Sequence, residues 1–573
     1  MNKNISLILV LLINLSLFGQ IEKNYLSENT SFSSKEKTVL KTNTDFVLAG
    51  EYLFYKLYTI NNNKLSNISK IGYVELVGTN KNIVLSHKLK LQNGIGYNEM
   101  FIPSKVLTGM YKLIGYTNFS KNNSNESCYV KDIFIINPFT ANTQEVKTKL
   151  KNSAQVNKKE KIITEIINNP LVSVSTQKNS YSKRELIEID VQINEKIKEG
   201  NYSISIRKLD SIETINTGSR NYIPGKKSEI LYIPEMRGEL VMGKITNLKN
   251  ASDTKNKHIG LSLPGKEYAF KVAKSNNEGH FFFNINEQYS SSVALFQVIE
   301  NNNEDFKIEL DSLKYNNYEE LTFSDLKINS KLKYNIEQRN IQNQIENAYY
   351  EKKQDSILAP LKNDLFYSTL ETKYDLDDYS RFKTVRETFI EVIGEAGLRR
   401  NSDNSYRFLV YDNDLNDDNI SSNIAPLVLV DGILVQNNND LVYYDSKKIK
   451  SIAVVSGQYI YGSKVFEGII DIKTFLQDFK TSVKGEFFIE KNLKKIEPKK
   501  IYYQPDYSDT ETLNNRIPDY RRQLLWLPEL DFNSTSGTYK AYTSDITGVF
   551  EVKLEGFNNL GEFVTASTFI EVN

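Results

Sequence analysis

The chain has 573 residues, 40% of them hydrophobic, and its 72 basic side chains against 71 acidic ones give a formal net charge of +1. That near balance excludes the strong positive field that nucleic acid or an anionic membrane surface selects, and the length suits about four domains of ordinary size. The 35 tyrosines and 29 phenylalanines favour strands, and a single cysteine excludes an internal disulfide.

Residues 1–19 read as a signal peptide: Lys3 supplies the basic start, Ile5 to Phe18 the apolar run, and Gly19 a small residue at the cut. The run is shorter than the ~20 apolar residues of a spanning helix. The expectation is an exported chain with no transmembrane segment of its own. An exported chain without disulfides fits a bacterial envelope.

From 20 to 140 the pattern alternates as in an antiparallel sandwich, with Val47, Tyr52, Phe54 and Leu57 opening it and Tyr111, Leu113 and Tyr116 on a return strand. The segment GYVELV followed by NGIGYNEMFIPSKVLTGMYKLIGYT, with Gly94, Gly96 and Gly109 at turns, resembles the first macroglobulin-type domain of large Bacteroidota envelope proteins. A polar Lys/Asn-rich linker covers 141–169. In 170–235, Ile187, Ile189, Val191 and Ile193 recur at period two after a charged turn, which resembles a second macroglobulin-type sandwich.

The unit at 236–325 carries Gly243 at a bend, a turn at Asn277-Glu278-Gly279, and inward Phe281, Phe283 and Ile285. It is similar to the seven-stranded carboxypeptidase-regulatory-like sandwich, a resemblance that implies no proteolysis. In 326–379, a helical connector, Leu332, Ile336, Ile341, Ile345 and Tyr349 repeat near helical spacing and predict one amphipathic helix packed on a neighbouring sheet. A second helix is expected from Val385 to Ala396, ending at Gly397.

Residues 380–478 hold three strand-like runs, PLVLV, SIAVV and GIIDIKTF. Asp431-Gly432 is a tight-turn dipeptide, and Asp445 caps the short basic turn Lys447-Lys448-Ile449-Lys450. PLVLVDG, the SIAVV run, a Tyr-Gly pair and GIIDIKT, in that order, resemble the plug domain of TonB-dependent outer-membrane receptors. Residues 479–573 return to strands as a C-terminal sandwich that contains the lone Trp526. The fold class expected is mainly β: tandem macroglobulin- or immunoglobulin-like sandwiches with an inserted small α/β plug-like domain.

Catalytic and cofactor chemistry find no constellation in the sequence. The thioester that a macroglobulin resemblance implies needs Cys-Gly-Glu-Gln, whereas Tyr129 and Val130 follow Cys128. His87, His258 and His280 are scattered, without metal-ligand spacing. Asp412, Asp414, Asn416 and Asp418 alternate like the start of a calcium loop, but Asp417 and Asn423 stand where the loop needs Gly and Glu. They read foremost as a solvated acidic loop and as weak metal candidates. No nucleotide-binding glycine motif is present.

A receptor barrel of about 22 strands does not fit the residues after Phe475. The expected function is therefore non-enzymatic binding or scaffolding at the outer membrane, on the periplasmic side or the cell surface. An accessory subunit of a TonB-dependent transport assembly is the alternative, and an unrecognised envelope hydrolase the next. No cofactor is expected, and the small-molecule ligand is unspecified. The expected partner is another outer-membrane or envelope protein, met through Tyr459, Ile460 and Tyr461 on a sheet with one uncovered face.

Overall fold

Strand Leu186–Ile193 shows how the β-rich sequence folds. Ile187, Ile189, Val191 and Ile193 are buried, while Glu188, Asp190 and Gln192 turn away from the core, as a period of two and β-branched side chains require. The computed structural model describes residues 34–140, 167, 169–209, 221–224, 231–287, 289, 291–311, 318–323, 332–358, 365–367, 369–411, 424–530, 532 and 534–573. The signal-peptide stretch 1–19 and the acidic series Asp412, Asp414, Asn416 and Asp418 lie outside them. The architecture is mainly β, with three sandwiches and one mixed α/β unit.

In the first sandwich, Glu36–Thr42, Tyr52–Asn61 and Ile95–Phe101 form one sheet, with Lys64–Leu65 at its end. The facing sheet runs Ile83–Lys90, Ile71–Val77, Gly109–Tyr116, Cys128–Ile136. Leu53, Leu57, Val74, Leu76, Leu113 and Ile133 fill the space between them. Tyr222–Ile223, expected in the second sandwich, instead extends this facing sheet beside Cys128 and Tyr129.

The second sandwich corrects the expected boundaries. Val172–Thr176 and Leu186–Ile193 pair with Ser536–Tyr542 in one sheet. In the other, Gly200–Lys208 lies between Gln523–Leu530 and Gly548–Asn558, and Phe563–Val572 follows. The stretches 170–235 and 479–573 therefore share one core, in which Ile189, Ile204 and Ile206 touch the same cluster as Leu525, Val552 and Ile570. Neither stretch has enough strands to bury its apolar face alone, so everything from 239 to 492 is an insertion into this sandwich.

The third sandwich has seven strands. Glu239–Asn247 pairs with His280–Ile285 and Phe306–Leu310, and the second sheet runs Ala269–Lys274, His258–Leu263, Val293–Val298, Phe488–Asn492. Its last strand comes from beyond the expected boundary at 325.

The mixed unit is built on a long hairpin, Ile449–Tyr461 with Lys464–Thr474. Leu427–Val430 joins it in parallel, and Thr372–Asp375 joins the far edge, earlier than the expected start at 380. Asp431 and Gly432 both have positive φ, 50° and 84°, and close the expected turn into Ile433–Leu434. A side chain on Gly432 would run into Tyr268 of the third sandwich. Asp445 accepts from the Lys447 amide and caps the turn Ser446–Lys448, as the sequence reading has it.

Both expected helices differ in detail. The second spans Val385–Glu391, opened by a Thr384–Glu387 capping box. Ala396–Arg400 is instead a strand paired with Tyr406–Val410, because tertiary pairing outweighs the helical spacing there. The first helix, Lys333–Ala348, does not bury an apolar stripe. Its buried side chain is Arg339, Ile341 is exposed, and only Ile336 packs into the cluster of Phe46, Leu48 and Ile136.

Candidate functional site

The residues singled out by sequence are not brought together. Tyr461 stacks on Phe366 with ring centroids 4.0 Å apart, lies 6.0 Å from Phe270, and donates its hydroxyl to Phe270 O at 2.5 Å. The Tyr459 hydroxyl donates to Phe366 O at 2.5 Å. These two rings belong to the chain's own packing, which corrects the expected aromatic contact surface; only Ile460, 73% exposed, faces outward. The sheet face expected to be uncovered is also closed. Leu427, Leu429, Val455 and Ile469 pack on Tyr268, Phe270 and Ile299 of the third sandwich. The opposite face takes Val385, Phe389 and Phe408.

Cys128 is a buried strand thiol, and burial pushes it up to about 12, far from a reactive thiolate. His87 is lowered to about 4 by burial and shares a hydrogen bond with the Tyr55 hydroxyl at 2.7 Å. His258 sits 2.9 Å from Glu300, and His280 lies 3.7 Å from Glu278. Among the described residues no group of three or more His, Cys, Asp or Glu is placed to hold a metal ion.

The site that emerges is a cavity of about 190 Å³ where the first sandwich, the second sandwich and helix Lys333–Ala348 meet. The first sandwich contributes Glu51, Tyr52, Phe54 and Glu99; the helix contributes Arg339, Asn343 and Glu346. Tyr502 and Tyr503 arrive on the returning chain, and Tyr520, Arg521, Gln523 and Trp526 belong to the second sandwich. The sequence reading missed this site because its walls come from four distant stretches. Trp526, the single tryptophan, was its one flag.

Its charges are largely spent within the chain. Arg339 holds Glu51 through two bonds of 2.7 and 2.6 Å. Glu346 takes Lys353 at 2.8 Å and the Tyr520 amide at 2.8 Å. Arg521 grips Asp519 at 2.8 and 2.7 Å, and Glu99 pairs with Lys500. Burial raises the Glu99 carboxyl, and it raises the neighbouring Tyr502 hydroxyl, which the Glu99 charge lifts further. Gln523 accepts from Asn43 and donates to Ile206 O and Leu525 O. What remains is aromatic surface together with Glu99 Oε2 and Asn343 Nδ2, which are buried without a hydrogen-bond partner among the described residues. Phe54 stands 5.6 Å from Trp526 and 5.4 Å from Tyr502, centroid to centroid.

No protein-family model matches the sequence, and no curated protein matches it. Among solved structures the chain is similar to Escherichia coli alpha-2-macroglobulin activated by porcine elastase, at 8% identity and a TM-score of 0.23, covering 94% of this chain and 44% of that one. It is similar to Salmonella alpha-2-macroglobulin reacted with methylamine, at 9% identity and a TM-score of 0.22, covering 96% and 40%. The Yersinia pseudotuberculosis adhesin InvE matches over 48% of this chain and 57% of its own, at 10% identity and a TM-score of 0.13. The chain spans less than half the length of these macroglobulins. Scores of this size carry no argument, so the sandwich assignment rests on the strand pairing itself. No helix among the described residues is long and apolar enough to cross a membrane, which says nothing of strands.

Proposed function

We propose that the chain is a non-enzymatic, exported cell-envelope protein of macroglobulin-type sandwiches, one that binds or scaffolds at the outer membrane. Its plug-like unit contacts another envelope protein. The observation behind this reading is where apolar side chains stay in water. Tyr443 is 70% exposed and Leu476 78% exposed, with Phe475 also exposed beside Leu476. Thr474 pairs with Ile449, so Phe475 and Leu476 leave the long hairpin at the same end where the segment from Tyr443, through the capped turn, enters it. Exposed apolar groups that cluster on one end of a unit mark an interaction surface.

The unit is also held firmly enough to present that end. It is packed on the third sandwich, and both are inserted into a second sandwich closed by the C-terminal strands. The test is affinity purification from a solubilised outer-membrane fraction with the full chain and with Tyr443→Ser combined with Leu476→Ser. The variant should fold and lose envelope partners. An unchanged partner set overturns the reading.

A further inference from the structure

A second cavity, of about 230 Å³, lies where the first sandwich, the third sandwich and the chain returning through Ile496 meet. It shares no lining residue with the cavity at Trp526. Its walls divide by chemistry. Ile71, Leu91, Ile285 and Ile496 make an apolar side, while Lys70, Lys90 and Arg237 bring three cations. Met236, Arg237 and Lys90 are exposed, so the cavity opens to water on their side. Backbone bonds hold the cations as neighbours. The Lys70 amide donates to Glu235 O at 2.8 Å, Lys70 O accepts the Leu91 amide at 2.8 Å, and Ile71 pairs with Lys90 across the sheet. The Glu235 carboxyl also accepts the Leu240 amide at 3.1 Å, which pins the chain on both sides of Arg237.

These cations are not neutralised within the chain. Among the described residues Lys90 and Arg237 have no ion-pair partner, and Lys70 donates to an uncharged group, Asn67 Oδ1, at 2.5 Å. The carboxylate on the wall, Glu287, is held by Lys271 at 2.7 Å. Like charges at one mouth repel, and an anion between them replaces that repulsion with attraction. A bare anion would leave the apolar side wet, and an uncharged chain would leave the cations unmet. A sugar would bury hydroxyls against Ile71, Leu91 and Ile496, where no acceptor meets them. One molecule with an anionic head and an apolar chain meets both walls, and the lysine stems add apolar surface beneath their charges. A dry cavity of about 150 Å³ takes up benzene, so about 230 Å³ admits about nine heavy atoms. We propose that this cavity binds an amphiphilic anion, with a carboxylate or phosphate head among Lys70, Lys90 and Arg237 and an apolar chain along Ile71, Leu91 and Ile496. That chemistry has two sources, a free fatty-acid-like anion and an anionic lipid of a bilayer. The proposal goes beyond the envelope-contact reading and does not depend on it.

Equilibrium dialysis of the full chain against heptanoate tests it, with acetate, heptan-1-ol and heptylammonium as comparators. Heptanoate should bind saturably and at least ten-fold more tightly than acetate or heptan-1-ol, and heptylammonium should not displace it. Lys90→Glu combined with Arg237→Glu changes two exposed side chains and spares the core. It should weaken heptanoate at least ten-fold. Lys447→Glu combined with Lys450→Glu makes the same change of charge at exposed positions of the plug-like unit and should leave heptanoate binding as it is. Sedimentation with phosphatidylglycerol vesicles but not phosphatidylcholine vesicles, competed by heptanoate, identifies the lipid as the source. Heptanoate binding without sedimentation identifies the free anion. The proposal is overturned if heptanoate does not bind saturably, or if acetate or heptan-1-ol binds equally well. It is also overturned if the variant at 90 and 237 binds heptanoate undiminished, or if the variant at 447 and 450 loses as much. The comparison of probes on the unaltered chain decides the matter even if a variant does not fold.

Discussion

Arg339 and Glu51 form a forked ion pair, with Nε on Oε1 at 2.7 Å and a terminal guanidinium nitrogen on Oε2 at 2.6 Å, and it ties helix Lys333–Ala348 to the first sandwich. The Arg339 side chain is almost wholly buried and its guanidinium also lies over the Phe46 ring. Glu51 accepts the Leu48 amide as well. Removing one partner of such a pair leaves the other charge buried and unpaired, at a cost of about 3–5 kcal/mol. Arg339→Ala should therefore cost about 3 kcal/mol in urea unfolding. Arg339→Met with Glu51→Gln should cost clearly less. Equal losses would show that packing, not charge, holds the helix.

The shared core of the second sandwich makes a sharper prediction. A chain ended after Asn492 loses Gln523–Leu530, Gly548–Asn558 and Phe563–Val572, the partners that cover Gly200–Lys208 and Tyr181. Ile187, Ile189 and Val191 then lose the half of their cluster that runs from Leu524 to Val572 and keep only the residues up to Ile206. Limited proteolysis should cut within 172–208 in the shortened chain and spare that stretch in the full one. Protection of 172–208 in the shortened chain would mean that it folds alone.

Tyr461 and Ile460 are neighbours with opposite roles. The Tyr461 ring is stacked on Phe366, and its hydroxyl is bonded to Phe270 O, whereas Ile460 faces water. Tyr461→Ser should destabilise the chain by about 2–3 kcal/mol, toward the low end for loss of a large core side chain. Ile460→Ser should stay within about 0.5 kcal/mol, as surface changes do. Thermal unfolding of both variants is the check, and equal shifts would contradict the assignment.

What the sequence made legible was local. The alternation of Ile187 to Ile193 and of Phe281 to Ile285, the Asp431-Gly432 turn and the Asp445 cap each depend on neighbouring residues, and each stands as read. Pairing between residues more than 300 positions apart, such as Ile204 with Leu554, leaves no local trace, so one sandwich was read as two. Helix Lys333–Ala348 has apolar residues at helical spacing, but the contact that docks it is an arginine, which periodicity does not flag. The cavity is the extreme case: Phe54, Arg339, Tyr502 and Trp526 meet only after the whole chain has folded.

Asp431 makes the turn legible for a second reason. It is buried, with φ of 50°, and its two carboxylate oxygens accept the Thr474 amide at 2.8 Å and the Thr474 hydroxyl at 2.7 Å. Ala at this position gives up both bonds and still has to adopt the left-handed conformation, which costs an L-residue about 1–2 kcal/mol. Asp431→Ala should lose about 3 kcal/mol in all. Asp431→Asn, which tolerates positive φ and keeps an acceptor, should lose under about half of that. If Asn is as damaging as Ala, neither the turn nor the Thr474 bonds explain the choice of aspartate.

Glu235 supplies the pH dependence. It is 1% exposed at the junction of the first and third sandwiches, where the Tyr73 hydroxyl donates to it at 3.1 Å and the Leu240 amide at 3.1 Å. Burial, with the nearby Glu239 charge adding to it, lifts its carboxyl from 4.5 to about 8. The folded-state value is the higher one, so between about 4.5 and about 8 the folded chain holds a proton that the unfolded chain has released. The glutamate's contribution is therefore most favourable below about 4.5, falls as pH rises, and levels off above about 8. Glu235→Gln removes the titration while keeping an acceptor for the Tyr73 hydroxyl or the Leu240 amide. The unfolding free energy of Glu235→Gln relative to the parent should rise by about 4 kcal/mol across that window, on the scale of about 1.4 kcal/mol per pKa unit, less what half-titration at its two ends removes. Urea unfolding of both proteins at the two ends of the window measures it. A constant difference, or one that moves the other way, would show that Glu235 is already ionised in the folded chain at neutral pH and that Lys88, which lies nearby and bonds Glu239, compensates its charge.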